Sequence, residues 1–355
     1  MKKVKSKVVD VGGVKIGEDN PVVVQSMTNT PTQDVMATLN QVEKLVNRGC
    51  ELVRVAVPDS EAGEALSEIV DSSPVPIIAD IHYSPDLALM ALNAGVDKLR
   101  LNPGNITDPE AIEDIAREAA SRSIPIRVGV NSGSLSKDIV GKYGRSPKAM
   151  VISAEEEIEL LENQGFDQIV VSLKSSEVNK TIEANEIFSR KYDYPLHLGV
   201  TEAGGGRSGL IKSAIGIGTL LREGIGDTIR VSLTGDPEEE VGAAYDILKS
   251  LGIRNRGIDF VSCPTCGRTE IDIQGLEQEL EQRLADLEDS VRVSLMGCSV
   301  NGIGEAGSSN LGLVGTARGG VLYVDGEQKD LISDSDIETV VSRMEKEIRN
   351  YEKGE

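Results

Sequence analysis

Two short runs of the sequence decide the fold, Leu52–Val57 (LVRVAV) and Pro76–Ile81 (PIIADI). Both are almost continuously apolar, as strands buried on both faces of a parallel sheet are. A helix-length amphipathic stretch separates them, and the same alternation of strand and helix patterns extends from Pro21 to about Ser232. We therefore expect this part of the chain to form parallel strands that are covered by helices.

The alternation predicts a TIM barrel. Eight strand–helix units within roughly 210 residues match the size of that fold. The predicted strands are Val22–Ser26, Leu52–Val57, Pro76–Ile81, Lys98–Asn102, Ile126–Val130, Gln168–Leu173, Leu196–Thr201 and Thr228–Leu233. Before them, Lys7–Ile16 with its Gly12-Gly13 turn is typical of a β-hairpin, which we expect to close the floor of the barrel.

A second, smaller domain follows the barrel. The composition changes near Arg254–Gly257, after a predicted helix at Glu238–Ser250. We expect a TIM-barrel domain over residues 1–250 that binds the substrate, and a small α/β domain over residues 258–355. The second domain has strand patterns at Ile258–Ser262, Val291–Met296 and Val321–Val324, and a Gly-rich stretch that runs up to Gly320. The predicted fold class is α/β, a TIM (β/α)8 barrel followed by this small domain.

Charge and cysteine content exclude several classes of protein. The 355 residues include 58 acidic and 37 basic side chains, and the resulting net charge of −21 repels nucleic acids and anionic lipid surfaces. The sequence has neither the run of about 18 apolar residues that a membrane span requires nor a signal peptide. Four cysteines are too few for a disulfide framework in a chain of this length. We expect a cytoplasmic protein without nucleic-acid or membrane partners.

Three of the four cysteines, Cys263, Cys266 and Cys298, lie in the last third of the chain and could bind one metal centre. Glu305, which is flanked by glycines, is a candidate fourth ligand. Three thiolates and a displaceable carboxylate would leave one iron of an iron–sulfur cluster open to a substrate, which favours catalysis. The spacing favours a cluster over a zinc site completed by Cys50 or a carboxylate. A redox-active dithiol at Cys263 and Cys266 is a further alternative.

Cations recur where the active site of a TIM barrel lies, towards the carboxyl ends of the strands. Arg54, Arg100, Arg127 and Lys174 occupy such positions on the second, fourth, fifth and sixth predicted strands. Burying them around one opening is costly unless an anion joins them, and the guanidinium fork suits phosphate oxygens. A diphosphate fits this demand, although each cation taken singly could pair with a neighbouring carboxylate.

The remaining strand ends are also polar, and they carry Asp80, His82, Asn131, Glu202 and Ser232. Glu202 directly follows the seventh predicted strand, so we expect it in the cationic opening, where a carboxylate could donate or accept a proton, or could pair with Arg207. We interpret Asp80 and His82 as surrounding polar groups rather than metal ligands.

Several short motifs occur in a fixed order along the chain: Val24–Thr28 (VQSMT), Ile78–His82 (IADIH), Arg100–Asn105 (RLNPGN), Arg127–Asn131 (RVGVN), Cys263–Arg268 (CPTCGR), Gly297–Gly302 (GCSVNG) and Gly304–Ala306 (GEA). Together they resemble the 4-hydroxy-3-methylbut-2-enyl diphosphate synthase family of the non-mevalonate isoprenoid pathway. The resemblance extends from about residue 7 to the last helix. It is closest to the short bacterial two-domain form, which lacks the extra central domain of the plant and parasite enzymes.

The resemblance implies a reductive ring opening and dehydration. Such enzymes convert 2-C-methyl-D-erythritol 2,4-cyclodiphosphate to 4-hydroxy-3-methylbut-2-enyl diphosphate by two single-electron transfers through a 4Fe-4S cluster. Carried over to this sequence, the cluster ligands are Cys263, Cys266, Cys298 and Glu305, and the acid–base carboxylate is Glu202. The positions that match the diphosphate-binding residues are Arg54, Arg100, Arg127, Asn131, Lys174 and Ser232.

The resemblance also implies partners. It implies a ferredoxin or flavodoxin as electron donor and a homodimer in which the cluster domain of one chain caps the barrel of the other. The alternative function is a non-redox barrel transferase of the pterin-binding kind. In that case the tail would be stabilised by zinc, and the cationic opening would bind a diphosphate leaving group.

Overall fold

The computed structural model of the protein describes residues 3–102, 106, 108–333 and 336–352. Pro103, Gly104 and Asn105, which complete one of the motifs quoted above, lie outside the described residues. The chain divides into two units, Met1–Arg254 and Asn255–Glu355. Among the residues described, no helix combines the length and the apolarity needed to cross a membrane.

The first unit is a barrel of parallel strands. A short antiparallel hairpin, β1 (Val9–Val11) and β2 (Val14–Ile16), precedes it. The barrel strands are β3 (Val23–Met27), β4 (Leu52–Ala56), β5 (Ile77–Asp80), β6 (Lys98–Leu101), β7 (Ile126–Asn131), β8 (Ile169–Lys174), β9 (His197–Leu198) and β10 (Thr228–Ile229). Their order is β8-β7-β6-β5-β4-β3-β10-β9, and a parallel bridge between Val171 and Leu196 joins β8 to the segment before β9. The predicted TIM barrel is confirmed.

Nine helices are described around this barrel: α1 (Val35–Asn47), α2 (Ser60–Ser72), α3 (Pro85–Asn93), α4 (Pro109–Ser121), α5 (Lys137–Tyr143), α6 (Pro147–Glu162), α7 (Val178–Lys191), α8 (Gly206–Arg222) and α9 (Pro237–Ser250). Their starts follow from local chemistry. The side chains of Asp34, Asp59 and Ser146, for example, accept hydrogen bonds from backbone N–H groups of the first turn. The buried helix faces pack against the strands in one large apolar core.

The hairpin fills the floor of the barrel, as the sequence predicts. Its buried side chains, Val9, Val11 and Ile16, form a separate apolar cluster inside the barrel. The strand residues in the same cluster are Val23, Leu52, Ile78 and Val170. The interior is therefore apolar at the end opposite the carboxyl ends of the strands.

The second unit is a five-stranded mixed sheet with three described helices. Its strands are β11 (Ile258–Ser262), β12 (Val291–Met296), β13 (Leu311–Thr316), β14 (Gly319–Val324) and β15 (Glu327–Ile332), and they pair in this order. The first three strands are parallel, and the last two are antiparallel to their neighbours. The helices are α10 (Ile273–Arg283), α11 (Ser299–Ala306) and α12 (Ile337–Glu352).

The Gly-rich stretch that ends at Gly320 is more regular than its composition indicates. It contains helix α11 and strand β13. Close packing explains the glycines, because a Cβ at Gly302 would lie 2.5 Å from Val314 Cγ1, and one at Gly312 would lie 2.5 Å from Ala306 Cβ. The glycines allow α11 to lie directly on β13, a reason that the sequence pattern does not reveal.

The last two barrel strands are shorter than predicted, since the patterns Leu196–Thr201 and Thr228–Leu233 form strands of only two residues each. Arg230 still donates its backbone N–H to Leu198 O at 3.0 Å. Beyond it, the N–H of Leu233 donates to the Glu240 carboxylate at 2.9 Å instead of to a neighbouring strand. The Glu240 side chain of α9 thus takes the place of a hydrogen bond between neighbouring strands.

The packing of the floor can be tested with Ile16→Ala. Ile16 is fully buried in the floor cluster, so this change should lower the free energy of unfolding by about 2–5 kcal/mol through the cavity it leaves. Val8→Ala, at a neighbouring exposed position, is the control and should change the free energy of unfolding by no more than about 0.5 kcal/mol. Urea titration followed by circular dichroism measures both, and equal effects would contradict the role of the hairpin.

Candidate active site

A cavity of about 160 Å³ lies towards the carboxyl ends of the barrel strands. It brings together all six side chains that the resemblance assigns to the diphosphate. The lining residues are Arg54, Asp80, His82, Arg100, Arg127, Asn131, Ser172, Lys174, Thr201, Arg230 and Ser232. We call this the cation cavity.

Strand geometry places the cations inside the barrel. Successive side chains of a strand point to opposite faces. On β4, Arg54 lines the cation cavity, whereas Val53 and Val55 belong to the core between strands and helices. On β6, Arg100 lines the cavity, whereas Leu99 belongs to that core. Strands that look continuously apolar therefore each carry a cation on the inner face.

Asp80 lies between two of these cations. Its carboxylate is 3.7 Å from Arg54 Nε and 3.3 Å from Arg100 Nη1, and Arg100 Nη1 is also 3.0 Å from the His82 imidazole. Burial alone would raise the pKa of Asp80, but Arg54, a hydrogen bond with His82, and Arg100 together hold it well below its usual range. Asp80 is therefore ionised and orients both guanidinium groups.

The other cations have fewer acidic partners. Arg230 pairs with Glu240 of α9 at 3.3 Å. Arg127 donates to Ser172 Oγ at 2.5 Å, and within the described part of the chain neither Arg127 nor Lys174 has a carboxylate at ion-pair distance. Burial, together with repulsion from neighbouring cations, lowers the pKa of both side chains well below the usual values. With five cations and two carboxylates in the described residues, this site can bind an anion.

Two glycines make room for the cations. A Cβ at Gly129 of β7 would lie 3.0 Å from Arg100 Nε. A Cβ at Gly199, just after β9, would lie 2.8 Å from Lys174 Nζ and 2.7 Å from the backbone oxygen of Arg230. All three distances are too short for a larger residue unless the neighbouring group moves.

Sequence reasoning missed three lining residues, Ser172, Thr201 and Arg230. The alternation of side chains along a strand could have found two of them. Arg230 lies two residues before Ser232, and Ser172 lies two residues before Lys174, so each shares a face with a predicted site residue. Asp80 and His82, which the sequence analysis placed around the site, line the cavity directly.

Glu202 lies beside the cation cavity rather than in its lining. It is exposed and directly follows Thr201, which does line the cavity. Its φ of +52° is in the left-handed region, which is uncommon for a residue with a side chain. Such a backbone conformation is found mainly at turns and functional sites.

A second cavity, of about 140 Å³, brings together the three cysteines of the second unit. Cys263 directly follows β11, and Cys298 precedes the first residue of α11, after β12. Because β11 and β12 are parallel neighbours, both cysteines lie at the same edge of the sheet. Cys266 completes the set, and the other lining residues are Pro264, Arg268, Met296, Val300 and Asn301.

Backbone hydrogen bonds to two of the cysteines in this cavity favour the thiolate form of the sulfur. The N–H of Gly297 donates to Cys263 Sγ at 3.2 Å. A backbone hydrogen bond from Arg268 lowers the pKa of the Cys266 thiol. All three cysteines are free, and the thiolate is the form that binds metals.

Glu305 lies on α11 outside the described lining of the cysteine cavity. It follows Cys298, the extended residue just before α11, by seven positions and lies in the last turn of that helix. The described residues contain no group of three or more His, Cys, Asp or Glu side chains that could hold a single metal ion. Zinc needs its ligands around one ion, whereas the thiolates of an iron–sulfur cluster bind different irons. In the described residues the three thiols line one cavity without forming such a single-ion group.

Comparison with known proteins gives strong matches over both units. The family model described as the GcpE TIM-barrel domain matches residues 6–245, and that of the GcpE protein C-terminal domain matches residues 259–350. A protein of Persephonella marina named 4-hydroxy-3-methylbut-2-en-1-yl diphosphate synthase (flavodoxin) is 49% identical over 99% of both chains. A protein of the same name from Aquifex aeolicus is 49% identical over 99% of this chain and 98% of its own.

The barrel fold is also found in solved structures of other proteins. Dihydropteroate synthase from Stenotrophomonas maltophilia aligns with a TM-score of 0.52 and 16% identity, over 70% of this chain and 97% of its own. At that identity the likeness shows the fold alone. Because two family models match in order over most of the chain, and relatives are nearly half identical over almost its full length, the chain belongs to the GcpE family.

Proposed function

We propose that the protein catalyses the reductive ring opening and dehydration of 2-C-methyl-D-erythritol 2,4-cyclodiphosphate to 4-hydroxy-3-methylbut-2-enyl diphosphate. The observation that carries this proposal is the excess of buried positive charge in the cation cavity, which calls for a phosphorylated ligand. The names of the relatives assign the synthase reaction to those proteins, and the match to them covers nearly the whole chain.

In this proposal the barrel binds the diphosphate. The residues that hold it are Arg54, Arg100, Arg127, Asn131, Lys174 and Ser232. Arg127 and Lys174 contribute most, since neither side chain has a carboxylate partner in the described residues. The Asp80 carboxylate fixes the guanidinium groups of Arg54 and Arg100 before the ligand arrives, which reduces the entropy lost on binding.

We assign a 4Fe-4S cluster to the second unit, with Cys263, Cys266, Cys298 and Glu305 as its ligands. The cavity shared by the three free thiols supports this assignment, as does the N–H that Gly297 directs at Cys263 Sγ. When bound, the cluster would supply the two electrons of the reaction one at a time. The carboxylate of Glu305 would be the exchangeable ligand, because it binds iron less firmly than a thiolate does.

We assign proton transfer to Glu202. Its carboxylate lies beside a cationic cavity, and its left-handed backbone supports a functional constraint at this position. Loss of water from the substrate requires a proton at the departing oxygen, which a carboxylic acid at the edge of the cavity can donate.

The proposal includes three further features of the enzyme. The electron donor is flavodoxin, as in the names of the relatives, or a ferredoxin. The enzyme is a homodimer in which the second unit of one chain caps the barrel of the other, and the exposed apolar side chains Leu210, Ile211 and Ile215 of α8 suit a contact between chains. Its location is the cytoplasm, since its free cysteines suit a reducing compartment.

The alternative, a pterin-binding type of transferase with a zinc-stabilised tail, is not favoured. The likeness to dihydropteroate synthase concerns the barrel fold alone at 16% identity. The described residues also lack the compact ligand group that zinc requires.

The proposed reaction is tested by mixing the anaerobically reconstituted protein with reduced flavodoxin and the cyclodiphosphate and following the diphosphate product by mass spectrometry. Glu202→Gln should lower kcat by about 10²- to 10⁴-fold through loss of the proton donor. Its KM should change little, because Glu202 does not line the cation cavity. Glu223→Gln, at an exposed position at the end of α8, is the control and should leave kcat unchanged. Absence of product with the wild-type protein would refute the proposed function.

Cluster binding is tested with Cys298→Ser. The wild-type protein should be brown, with broad absorption near ~400 nm and about four irons per chain, and the variant should lose most of both. Cys50→Ala is the control, because Cys50 is buried in the barrel core and should not affect iron content. A colourless wild-type protein with stoichiometric zinc would count against the assignment.

The spatial role of Gly199 is tested with Gly199→Ala. The new methyl group would lie 2.8 Å from Lys174 Nζ and 2.7 Å from the backbone oxygen of Arg230, so KM for the cyclodiphosphate should rise by roughly 10- to 100-fold as these groups are displaced. Gly218→Ala, in α8 where a Cβ meets nothing within 4 Å, is the matched control and should leave KM unchanged. An unchanged KM in both variants would show that Lys174 does not need this space.

A further inference from the structure

A second polar layer lies inside the barrel, one inward-facing position further from the opening than the cation cavity. Lys98 precedes Arg100 by two residues on β6, and His197 precedes Gly199 by two residues. Both are fully buried, as is Gln25 of β3, and none of the three lines the cation cavity. Within the described chain, Lys98 Nζ, His197 Nε2 and both amide atoms of Gln25 have no hydrogen-bond partner.

The groups that act on Lys98 are cations. Arg127 of β7 and Arg54 of β4 repel its charge, and burial with this repulsion lowers the pKa of Lys98 well below its usual value. On the adjacent strand β5, Lys98 pairs with Ile78, and the nearby Asp80 is already engaged by Arg54 and Arg100. The empty barrel thus contains more basic groups than its carboxylates can balance.

His197 is the other titratable group of this layer. Burial and repulsion from Lys174, Arg127 and Lys98 lower the pKa of His197 well below its usual value. Its Nδ1 lies 3.4 Å from Thr228 Oγ1. Because an imidazole is a weaker base than an alkylamine, and the arginines keep their protons, Lys98 is the group of the buried layer that gains a proton first when negative charge enters.

We propose that Lys98 is a ligand-linked proton acceptor, whose amine is neutral while the cation cavity is empty and takes up one proton from solvent when the diphosphate binds. One N–H bond forms, the proton comes from water or buffer, and no bond of the ligand breaks. The charged Lys98 then holds the diphosphate electrostatically from behind the cavity without touching it, as a positioning residue. This inference rests on the proposed function, because it requires an anionic ligand in the cavity.

The test is isothermal titration calorimetry of the holoenzyme with the cyclodiphosphate, without reductant, in two buffers of different ionisation enthalpy. Each phosphorus of this cyclic ligand has only one strongly acidic oxygen, so the ligand does not titrate near neutral pH and the counted protons belong to the protein. We expect Lys98 to take up about one proton, to which Lys174 adds in so far as its own lowered pKa leaves it neutral, and a log Kd that rises between about pH 6 and pH 9 by up to about one per pH unit for each proton taken up. Lower pH therefore tightens binding.

In Lys98→Met, which keeps the length of the side chain, the proton uptake should fall by about one proton relative to the wild type, the pH slope of Kd should decrease accordingly, and Kd at about pH 7 should weaken by about tenfold. His197→Gln is the matched control in the same layer and should retain the uptake. Equal uptake in Lys98→Met and the wild type would overturn the inference. If the variant does not fold, the wild-type titration still tests the inference. Ligand binding without proton uptake across this pH range would overturn the inference but would not contradict the proposed function. Absence of any binding would refute both.

Discussion

Unbalanced positive charge inside the barrel is the constraint on which the rest of the structure depends. Five basic side chains line the cation cavity, whereas Asp80 and Glu240 are the described carboxylates that pair with them. Burying charge without a partner costs several kcal/mol per ion, so this arrangement lowers the stability of the folded chain. Burial of apolar side chains, in the floor cluster and between the strands and the helices, offsets this unfavourable free energy. The site is thus stable as part of the fold but electrostatically incomplete until an anion enters.

Small residues determine how closely the functional groups approach one another. In the barrel, Gly129 and Gly199 leave the volume that the side chains of Arg100 and Lys174 occupy. In the second unit, Gly302 lets α11 lie against β13, and this contact fixes the start of the helix, where Cys298 lies. In both units, therefore, the absence of a Cβ on one element sets the position of a side chain of the candidate site on another.

Much of the fold and the site could be predicted from the sequence, because both leave periodic or strongly spaced signals. Near-continuous apolar runs indicated the barrel, and charged residues inside those runs indicated Arg54, Arg100, Arg127 and Lys174. Long-range packing left no such signal. The helix over the Gly-rich segment depends on contacts with β13, and the early end of β10 depends on the Glu240 carboxylate of α9. The role of Glu305 rests on resemblance, since its place on α11 lies outside the described lining of the cysteine cavity.

The floor of the barrel has a consequence for synthesis of the chain. The hairpin leaves the ribosome before the barrel strands, yet its apolar side chains pack against residues from several of them, among them Leu52, Ile78 and Val170. Val170 follows Ile16 by 154 residues (170 − 16), so the hairpin stays unburied until most of the barrel has been translated. Completion of the barrel is thereby coupled to its first segment, and a nascent chain interrupted before β8 exposes an apolar hairpin that can associate with other unfinished chains.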